Sequence, residues 1–372
     1  MFSNEVVMDA ATKALPRGGV VRLVAANGEA LGLATFNAHT LIAARLLSRG
    51  DETAIDESFL AARITAASKL RELLYPGGFY RLIHAEADGL PGLIVDRYGD
   101  LLVAQFNTAG MEALRPIIVA ALDGCLAPRA IVLRNDSPSR QLEGLPLEVE
   151  ILRGPVPADL PVLENSCRFF ADLGEGQKTG WFFDQRDNRA MMATLASGAR
   201  VLDMYAYAGG FGLLAAQRGA AEVTLVDRSE RGLALAAHAA DVNDLTARCR
   251  FVKGEAFMEL ERLASGGARF DVVIADPPAF VKSKKDLGPG ARGYRKLTRL
   301  AARLVAPGGF LFVASCSHHV DIALFAEQVA RGLEDCERAG RILRSTGAAA
   351  DHPVHPQLPE SAYLKGQLLQ LD

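Results

Sequence analysis

The chain has 372 residues, which is too long for one ordinary core and leads us to expect two or three domains. Hydrophobic residues make up 49% and charged residues 23%, so the composition excludes a disordered or fibrous protein. Lys and Arg number 41 against 44 Asp and Glu, a formal charge of -3. Any nucleic-acid partner must therefore be bound by a local basic patch.

The cysteines and histidines give no sign of a disulfide framework or a metal site. The five cysteines are scattered, odd in number and never in a C-x-x-C pair. Four histidines (His318, His319, His352 and His355) lack an accompanying cysteine or carboxylate framework, so no metal is predicted. The N-terminus has no cationic flank followed by an apolar run, so no signal peptide is expected. We predict a cytoplasmic protein with reduced thiols, no membrane span and no metal.

The first half of the chain predicts a small β unit and then a mixed α+β region. Residues 20–55 are typical of short strands joined by turns. Residues 56–74 carry apolar side chains at helical spacing and are followed by Pro76-Gly77-Gly78, which predicts a helix that ends there. A strand meander over residues 79–106 follows. Helical and strand-like stretches then continue to residue 134.

The second half has a different pattern. Residues 154–161 are rich in proline and glycine and mark the predicted domain boundary. Beyond them, five apolar runs alternate with helical patterns: ARVLDMY, EVTLVD, CRFVKG, FDVVIAD and GGFLFVAS. This alternation predicts a parallel, doubly wound sheet with helices on both faces. Ligands bind such sheets at the carboxyl ends of the strands.

Residues at the first three strand ends predict a nucleoside pocket. The first strand is followed by the segment Asp203-Met204-Tyr205-Ala206-Tyr207-Ala208-Gly209-Gly210. Its glycines would let a ligand approach backbone amides. A tight turn is the alternative, and the spacing departs from G-x-G-x-x-G. Asp227-Arg228 follows the second strand, where the acid could bond to both ribose hydroxyls or simply begin a helix. Glu255-Ala256 follows the third.

The segment after the fourth strand, Asp276-Pro277-Pro278-Ala279-Phe280, is the most specific signal in the chain. Its prolines hold a stiff extended backbone, so Asp276 could bond to a base and Phe280 could stack on one. A rigid turn with a core phenylalanine is the alternative. The fifth strand ends at Ser315-Cys316-Ser317. Since neighbouring strands lie about 5 Å apart, we expect Cys316 and Asp276 to share one cleft, although buried cysteines are usually inert.

Two further segments are less specific. Residues 174–179 look like a phosphate loop, but Gln177 precedes Lys178 and no helical pattern follows, so a hairpin turn is predicted. A basic run follows the Asp-Pro-Pro segment and could be a solvated helix face or a phosphate contact. It consists of Lys282, Lys284, Lys285, Arg292, Arg295, Lys296 and Arg299.

With these motifs, the chain resembles the S-adenosylmethionine-dependent methyltransferases, and specifically the RlmI-type large-subunit rRNA methyltransferase family. The matching segments are residues 87–92, 96–99, 178–189, 207–211, 276–281, 315–317, 351–354 and 363–366. The resemblance implies a PUA-like β-barrel at residues 1–57 and a central α+β domain at 58–155. It also implies a C-terminal class I methyltransferase domain at 160–372, with a Rossmann-like, mostly parallel seven-stranded sheet.

Two departures from the family pattern affect these expectations. The family's barrel usually begins with a longer N-terminal stretch containing a His-Pro-Trp segment, so the barrel here is expected to be short, which puts RNA affinity in doubt. Ala279 stands where a lysine is typical, and Glu255 where an aspartate is common. We expect both replacements to be compatible with cofactor binding.

The resemblance implies S-adenosylmethionine as cofactor and rRNA as partner. The cofactor would be held by Asp184, Arg186, Asp203, Tyr205, Ala206, Gly209, Gly210, Asp227, Arg228, Glu255, Ala256, Asp276 and Pro277. Methylation would occur at cytosine C5, with Cys316 adding to C6 and Asp276 holding the ring. Phe280, Lys282, Arg292 and Lys296 would contact single-stranded, flipped or unfolded rRNA. A homodimer is compatible with the family.

Three alternative functions stay open at this point. The Asp-Pro-Pro segment also suits methylation of a base nitrogen such as guanine N7, for which Cys316 would be dispensable. A nicotinamide-dependent oxidoreductase would account for Asp227 but not for Asp276-Pro277-Pro278. A non-catalytic RNA-binding assembly factor could keep the cofactor pocket without transferring a methyl group.

Overall fold

The computed structural model describes residues 1–50, 52–174 and 179–372. Most of the segment predicted to be a hairpin turn, residues 174–179, lies outside the described residues. By contacts between Cα atoms, the chain divides into two compact units. The first comprises Met1–Ala158, Leu173–Phe183 and Ala350–His355, and the second Asp159–Asp172, Asp184–Ala349 and Pro356–Asp372. The division into three domains stays a prediction.

The first unit contains two β-sheets. Its strands are β1 (Val20–Val24), β2 (Ala30–Phe36), β3 (Ala44–Ser48), β4 (Phe79–His84), β5 (Leu93–Tyr98), β6 (Leu101–Phe106), β7 (Ala130–Asn135) and β8 (Glu148–Arg153). Its helices are α1 (Ala10–Lys13), α2 (Glu57–Leu74), α3 (Ala109–Ala113), α4 (Arg115–Leu126) and α5 (Ser139–Leu142). The sheets have the strand orders β1-β2-β3 and β4-β5-β6-β7-β8. The predicted β unit, helix and meander are confirmed.

The local sequence explains where α2 begins and ends. The Asp56 side chain accepts a hydrogen bond from the amide of Phe59 and so caps the N-terminus of the helix. The helix ends at Tyr75, directly before Pro76, which cannot continue it. Leu60 and Ile64 on α2 are fully buried in the core of this unit, together with Ile118 of α4. The helical spacing seen in the sequence therefore reflects one buried face.

A buried polar network in the first unit accounts for the sequence motif at residues 351–354. Asp351 Oδ2 accepts a hydrogen bond from the amide of Arg81 at 2.9 Å, and Asp351 Oδ1 lies 2.8 Å from His352 Nδ1. The His352 ring lies 5.0 Å from that of His84, and burial lowers the pKa of His84 to about 2. Because Asp351 contacts backbone and its neighbouring histidine, this motif has a structural role in the first unit.

The second unit is built on a seven-stranded sheet. Its strands are β9 (Leu160–Glu164), β10 (Cys167–Ala171), β11 (Arg200–Met204), β12 (Glu222–Asp227), β13 (Cys249–Lys253), β14 (Phe270–Ala275), β15 (Val305–Ser315), β16 (Gly340–Thr346) and β17 (Lys365–Leu371). Its helices are α6 (Arg186–Ala193), α7 (Gly210–Gln217), α8 (Glu230–Val242), α9 (Ala256–Ser265), α10 (Leu287–Ala302) and α11 (Ile322–Glu334).

The sheet order is β13-β12-β11-β14-β15-β17-β16, and β9 and β10 form a separate hairpin. The five strands expected from the sequence are parallel, whereas β17 is antiparallel to β15 and to β16. The predicted doubly wound, mostly parallel sheet is therefore confirmed. Helix α10 begins at Leu287 and tolerates Pro289, which falls in the first turn, where its missing N–H costs nothing.

Some classes of feature are absent from the described part of the chain. None of the helices there has the length and apolar character needed to span a bilayer. Across residues 1–50, 52–174 and 179–372, no group of three or more His, Cys, Asp or Glu side chains could hold a metal ion. None of the five cysteines, all of them described, forms a disulfide.

Candidate cofactor and active site

The turn between β11 and α7 has no room for a side chain at Gly209 or Gly210. Gly209 has φ +81°, a left-handed conformation that favours glycine. A Cβ atom at Gly209 would lie 2.9 Å from the side chain of Leu213, and one at Gly210 would lie 2.5 Å from Arg189 Nε. The Gly209 amide donates to the carbonyl of Ala206 at 2.7 Å, which closes the turn. Glycine is thus required on both conformational and steric grounds.

We expect Gly209→Ala to weaken the binding of S-adenosylhomocysteine about tenfold, because a left-handed alanine costs about 1–2 kcal/mol and the turn must shift. Isothermal titration calorimetry measures the dissociation constant of S-adenosylhomocysteine for each variant. Gly219→Ala is the matched control, since Gly219 also has a positive φ, +95°, but lies after α7 and has its nearest neighbour at 3.7 Å. Equal losses of affinity in the two variants would contradict the assignment of the turn to the ligand.

Three carboxylates lie close together at the ends of β11, β12 and β14. Asp203 is 1% exposed, and its Oδ2 accepts a hydrogen bond from the amide of Gly212 at 2.7 Å. Burial, with the charges of Asp276 and Asp227, raises the pKa of Asp203 to about 7, while the hydrogen bond from the Gly212 amide and the charge of Arg189 lower it. Like charges are therefore concentrated at this edge of the sheet.

Asp227 is anchored by backbone. Its Oδ2 accepts from the amide of Tyr207 at 2.8 Å and its Oδ1 from the amide of Ser229 at 2.7 Å. Each carboxylate oxygen has a further lone pair for a ligand hydroxyl. This side chain is partly exposed beside the glycine turn, in the position expected for a ribose contact.

The residues after β13 have mixed environments. Glu255 is exposed and caps α9, because its Oε2 accepts from the amide of Met258 at 2.9 Å. Its negative charge, together with burial, raises the pKa of the Tyr205 hydroxyl, so the two side chains are neighbours. Ala206 and Ala256 are buried, and Arg228 is exposed.

Asp184 and Arg186 lie in a separate buried cluster. The Tyr363 hydroxyl donates to Asp184 Oδ2 at 2.5 Å. Arg186 Nε lies 3.5 Å from Glu164 Oε2, and Arg189 Nη1 lies 2.7 Å from Glu164 Oε1. The sequence analysis missed Glu164, Arg189 and Tyr363, although the fact that Arg186 and Arg189 share one helix face was a usable signal.

The structure brings Cys316 and the Asp-Pro-Pro segment together. Cys316 Sγ lies 4.0 Å from the carbonyl oxygen of Pro277, the residue after Asp276. Both Cys316 and Asp276 are partly exposed. The next residue, Ser317, ties the two strand ends together, since its Oγ accepts from the amide of Val281 at 3.1 Å. The Tyr294 hydroxyl also lies 2.8 Å from Ser317 Oγ.

The predicted substrate contacts have different surroundings. The Phe280 ring is partly exposed and lies 4.7 Å from the Tyr294 ring and 6.0 Å from the Phe257 ring. Lys282 and Arg292 are exposed. Lys296 is also exposed, with its Nζ 3.2 Å from Glu261 and 4.8 Å from the Phe257 ring centroid.

Comparison with known proteins identifies the family. Residues 126–367 match the family model described as S-adenosylmethionine-dependent methyltransferase, and residues 1–49 match that of a PUA-like domain. A protein from Shewanella amazonensis named "Ribosomal RNA large subunit methyltransferase I" is 38% identical over 355 residues, which is 94% of this chain and 90% of that protein. The chain belongs to this methyltransferase family. A relative of the same name from Aeromonas hydrophila is 37% identical and covers 95% of this chain and 90% of its own length.

Solved methyltransferases share the fold. The crystal structure of SMU.776 complexed with SAH matches with a TM-score of 0.83 at 23% identity, and covers 95% of this chain and 92% of that chain. A second structure, of a SAM-dependent methyltransferase from Streptococcus mutans, has a TM-score of 0.81 and the same identity and coverage. The predicted class I methyltransferase fold with an N-terminal PUA-like domain is confirmed, as are the family and its cofactor, S-adenosylmethionine.

The residues of the methyltransferase fit this cofactor. The glycine turn lies at the carboxyl end of β11, beside Asp227, which keeps lone pairs for ribose hydroxyls. Burial is the main cause of the raised pKa of Asp203, and the negative charges of Asp276 and Asp227 add to it. A sulfonium cation relieves that repulsion, so the acidic cluster favours a positively charged ligand.

Proposed function

We propose that the chain methylates C5 of a cytosine in large-subunit rRNA, with Cys316 as the nucleophile. The observation that carries the proposal is the 4.0 Å approach of Cys316 Sγ to the carbonyl of Pro277, which joins a thiol to the Asp-Pro-Pro segment. Both groups lie at the carboxyl edge of the sheet that also bears the glycine turn and Asp227. The relatives' shared name supports the rRNA substrate.

The chemistry requires a nucleophile because C5 of cytosine does not attack by itself. The bound cofactor supplies an electrophilic methyl group on its sulfonium. The Cys316 thiolate forms a bond to C6, and the C5–C6 π electrons then make the new bond from C5 to the methyl group, whose bond to the sulfonium sulfur would break and leave S-adenosylhomocysteine. A base next removes the C5 proton, the double bond reforms and the bond from C6 to sulfur breaks. Cys316 leaves as the thiolate and is regenerated.

Residues around the nucleophile hold the reactants. Asp276 accepts a hydrogen bond from the exocyclic amino group of the base and so orients the ring. Asp227 binds the ribose of the cofactor, with Tyr205, Ala206, Glu255 and Ala256 beside it. Asp203 supports the glycine turn from behind through Gly212. Asp184 and Arg186 close the amino-acid end of the cofactor site.

The substrate is single-stranded or still unfolded rRNA in the cytoplasm, since a pyrimidine C6 is inaccessible to a thiol within a stacked duplex. Exposed Lys282, Arg292 and Lys296 contact its phosphates. The PUA-like domain at residues 1–49 provides a second RNA contact.

The decisive experiment maps methylated bases in large-subunit rRNA from cells with and without this chain, and repeats the reaction in vitro with labelled cofactor. A C5-methylcytosine that is lost in the deletion and restored in vitro is the expected result. A lost methyl group on a base nitrogen would replace the C5 proposal with the nitrogen alternative. Absence of transfer with intact cofactor binding would indicate an assembly factor.

We expect Asp276→Asn to lower kcat about 10²-fold, because misplacing a reacting base by about 1 Å costs this much. Binding of S-adenosylhomocysteine should change no more than about twofold, since the carboxamide keeps the shape of the side chain. Single-turnover kinetics and calorimetry separate the two effects. Asp241→Asn, on an exposed acid of α8, is the control. An unchanged kcat in Asp276→Asn would exclude its role in orienting the base.

A further inference from the structure

Lys365 is a buried lysine beside Cys316 to which the mechanism above gives no role. Antiparallel pairing of β17 with β15 places Lys365 opposite Ser315, the residue before Cys316. Lys365 is 6% exposed, and its Nζ donates to the carbonyl of Ser317 at 2.7 Å. The ammonium is thereby fixed against the backbone that carries Cys316.

The charge of this ammonium needs a partner. A buried ammonium is costly unless it is paired, and the Ser317 carbonyl takes only one of its three donors. Burial lowers the pKa of Lys365, and negative charge at Cys316 and at Asp321 offsets only part of that shift. Electrostatic interactions are reciprocal, so the ammonium stabilises the thiolate by as much as the thiolate stabilises the ammonium.

Other groups near Cys316 oppose thiolate formation. Asp276 follows β14, next to Pro277, whose carbonyl contacts Cys316. Asp321 caps α11 through the amide of Leu324. The Tyr294 hydroxyl on α10 has a pKa raised by burial and by charge at Cys316. The His318 and Tyr363 rings lie 5.3 Å apart on the loops flanking Cys316 and Lys365. Lys365 thus supplies positive charge among carboxylates and a phenol.

We propose that Lys365 is a positioning residue that holds Cys316 as a thiolate, ready to add to C6 of the pyrimidine. The inference rests on the proposed function, because only covalent catalysis needs the thiolate. An ordinary cysteine is only a few per cent thiolate at neutral pH, so a neighbouring ammonium increases the attacking species about tenfold or more. The covalent step is otherwise unchanged, since Lys365 neither gains nor loses a proton in it.

The pH dependence of Cys316 alkylation tests this in the full chain without RNA. Iodoacetamide is the probe, and mass spectrometry follows the peptide that contains Cys316. In the wild-type protein we expect the alkylation rate of Cys316 to reach half its maximum about one pH unit or more below the usual thiol pKa of about 8.5. Lys365→Met should raise the midpoint by about one unit, and Lys365→Arg, which keeps the charge, should restore it. Lys69→Met, on an exposed lysine of α2, is the control for loss of one positive charge.

Each outcome decides between the hypotheses. Equal midpoints in wild type and Lys365→Met, or a wild-type midpoint at the ordinary value, would overturn the proposal. Binding of S-adenosylhomocysteine shows whether each variant is folded. If Lys365→Met does not fold, Lys365→Gln is measured in its place, because glutamine keeps a donor for the Ser317 carbonyl. Alkylation does not depend on methyl transfer, so it tests the effect of Lys365 on the Cys316 thiol. The covalent mechanism is tested separately, and it fails if Cys316→Ala retains methyltransferase activity.

Discussion

Replacing Cys316 with alanine is expected to reduce rRNA methylation at least about 10³-fold, because the nucleophile that activates C5 is removed. Binding of S-adenosylhomocysteine should stay within about twofold of the wild-type value, since the proposed role of the thiol is to attack the base and alanine leaves the backbone at residue 316 unchanged. The measurement is single-turnover transfer of a labelled methyl group to unmodified large-subunit rRNA. Full activity in Cys316→Ala would show that the target is a base nitrogen.

A covalent adduct provides a second readout of the same nucleophile. RNA containing 5-fluorocytosine at the target should stay attached to the wild-type protein, because fluorine at C5 cannot leave as the proton does. The adduct should be stable in denaturing gels and absent with Cys316→Ala. Cys336→Ala is the matched control, since the Cys336 thiol lies against the carbonyls of Gly332 and Leu333 at the end of α11. An adduct that persists in Cys316→Ala would assign the nucleophile elsewhere.

The sequence predicted the parallel part of the sheet well because β11, β12 and β14 are largely buried and appear as continuous apolar runs. It did not reveal β16 or β17. Strand β16 is exposed along almost its whole length. Strand β17 is buried but carries Lys365 and Gln367, so neither strand shows an apolar run or clear alternation. The insertion of β17 between β15 and β16 is a tertiary effect that no local pattern encodes.

The roles of the site residues stay predictions, but their grouping follows from the same topology. Parallel topology brings successive strand ends to one edge, so Asp276, Cys316 and Asp227 could be grouped from order alone. Contacts from outside that alternation were missed: Tyr363 reaches Asp184, and Lys365 reaches the loop after Cys316. These contacts depend on the fold of the C-terminal residues, where side-chain direction cannot be read from spacing.

Environment bears on two residues whose roles in the site stay predictions. Asp203, expected at the ligand, has a buried carboxylate that accepts from the amide of Gly212. Phe280, expected to stack on a base, is partly exposed and lies beside Tyr294 and Phe257. The position of a residue followed from topology, whereas its exposure depended on packing.

The buried carboxyl of Asp203 should make the stability of the protein fall as pH rises. Its pKa is raised from 3.8 to about 7 in the folded state, mainly by burial. Between these values the folded state binds more protons than the unfolded state, so the free energy of unfolding decreases with pH. The stabilisation is fully present below about pH 3.8 and is lost as pH rises through about 7. The two pKa values differ by an amount equivalent to about 4 kcal/mol at most.

Asp203→Asn should remove this dependence, because the carboxamide stays neutral while its oxygen still accepts from the Gly212 amide. We therefore expect the stability of the variant relative to wild type to increase between about pH 4 and pH 7 and to level off above, as measured by thermal unfolding at each pH. Asp241→Asn, on an exposed acid of α8, should show no such trend. A constant offset between Asp203→Asn and wild type at every pH would mean that Asp203 is ionised throughout.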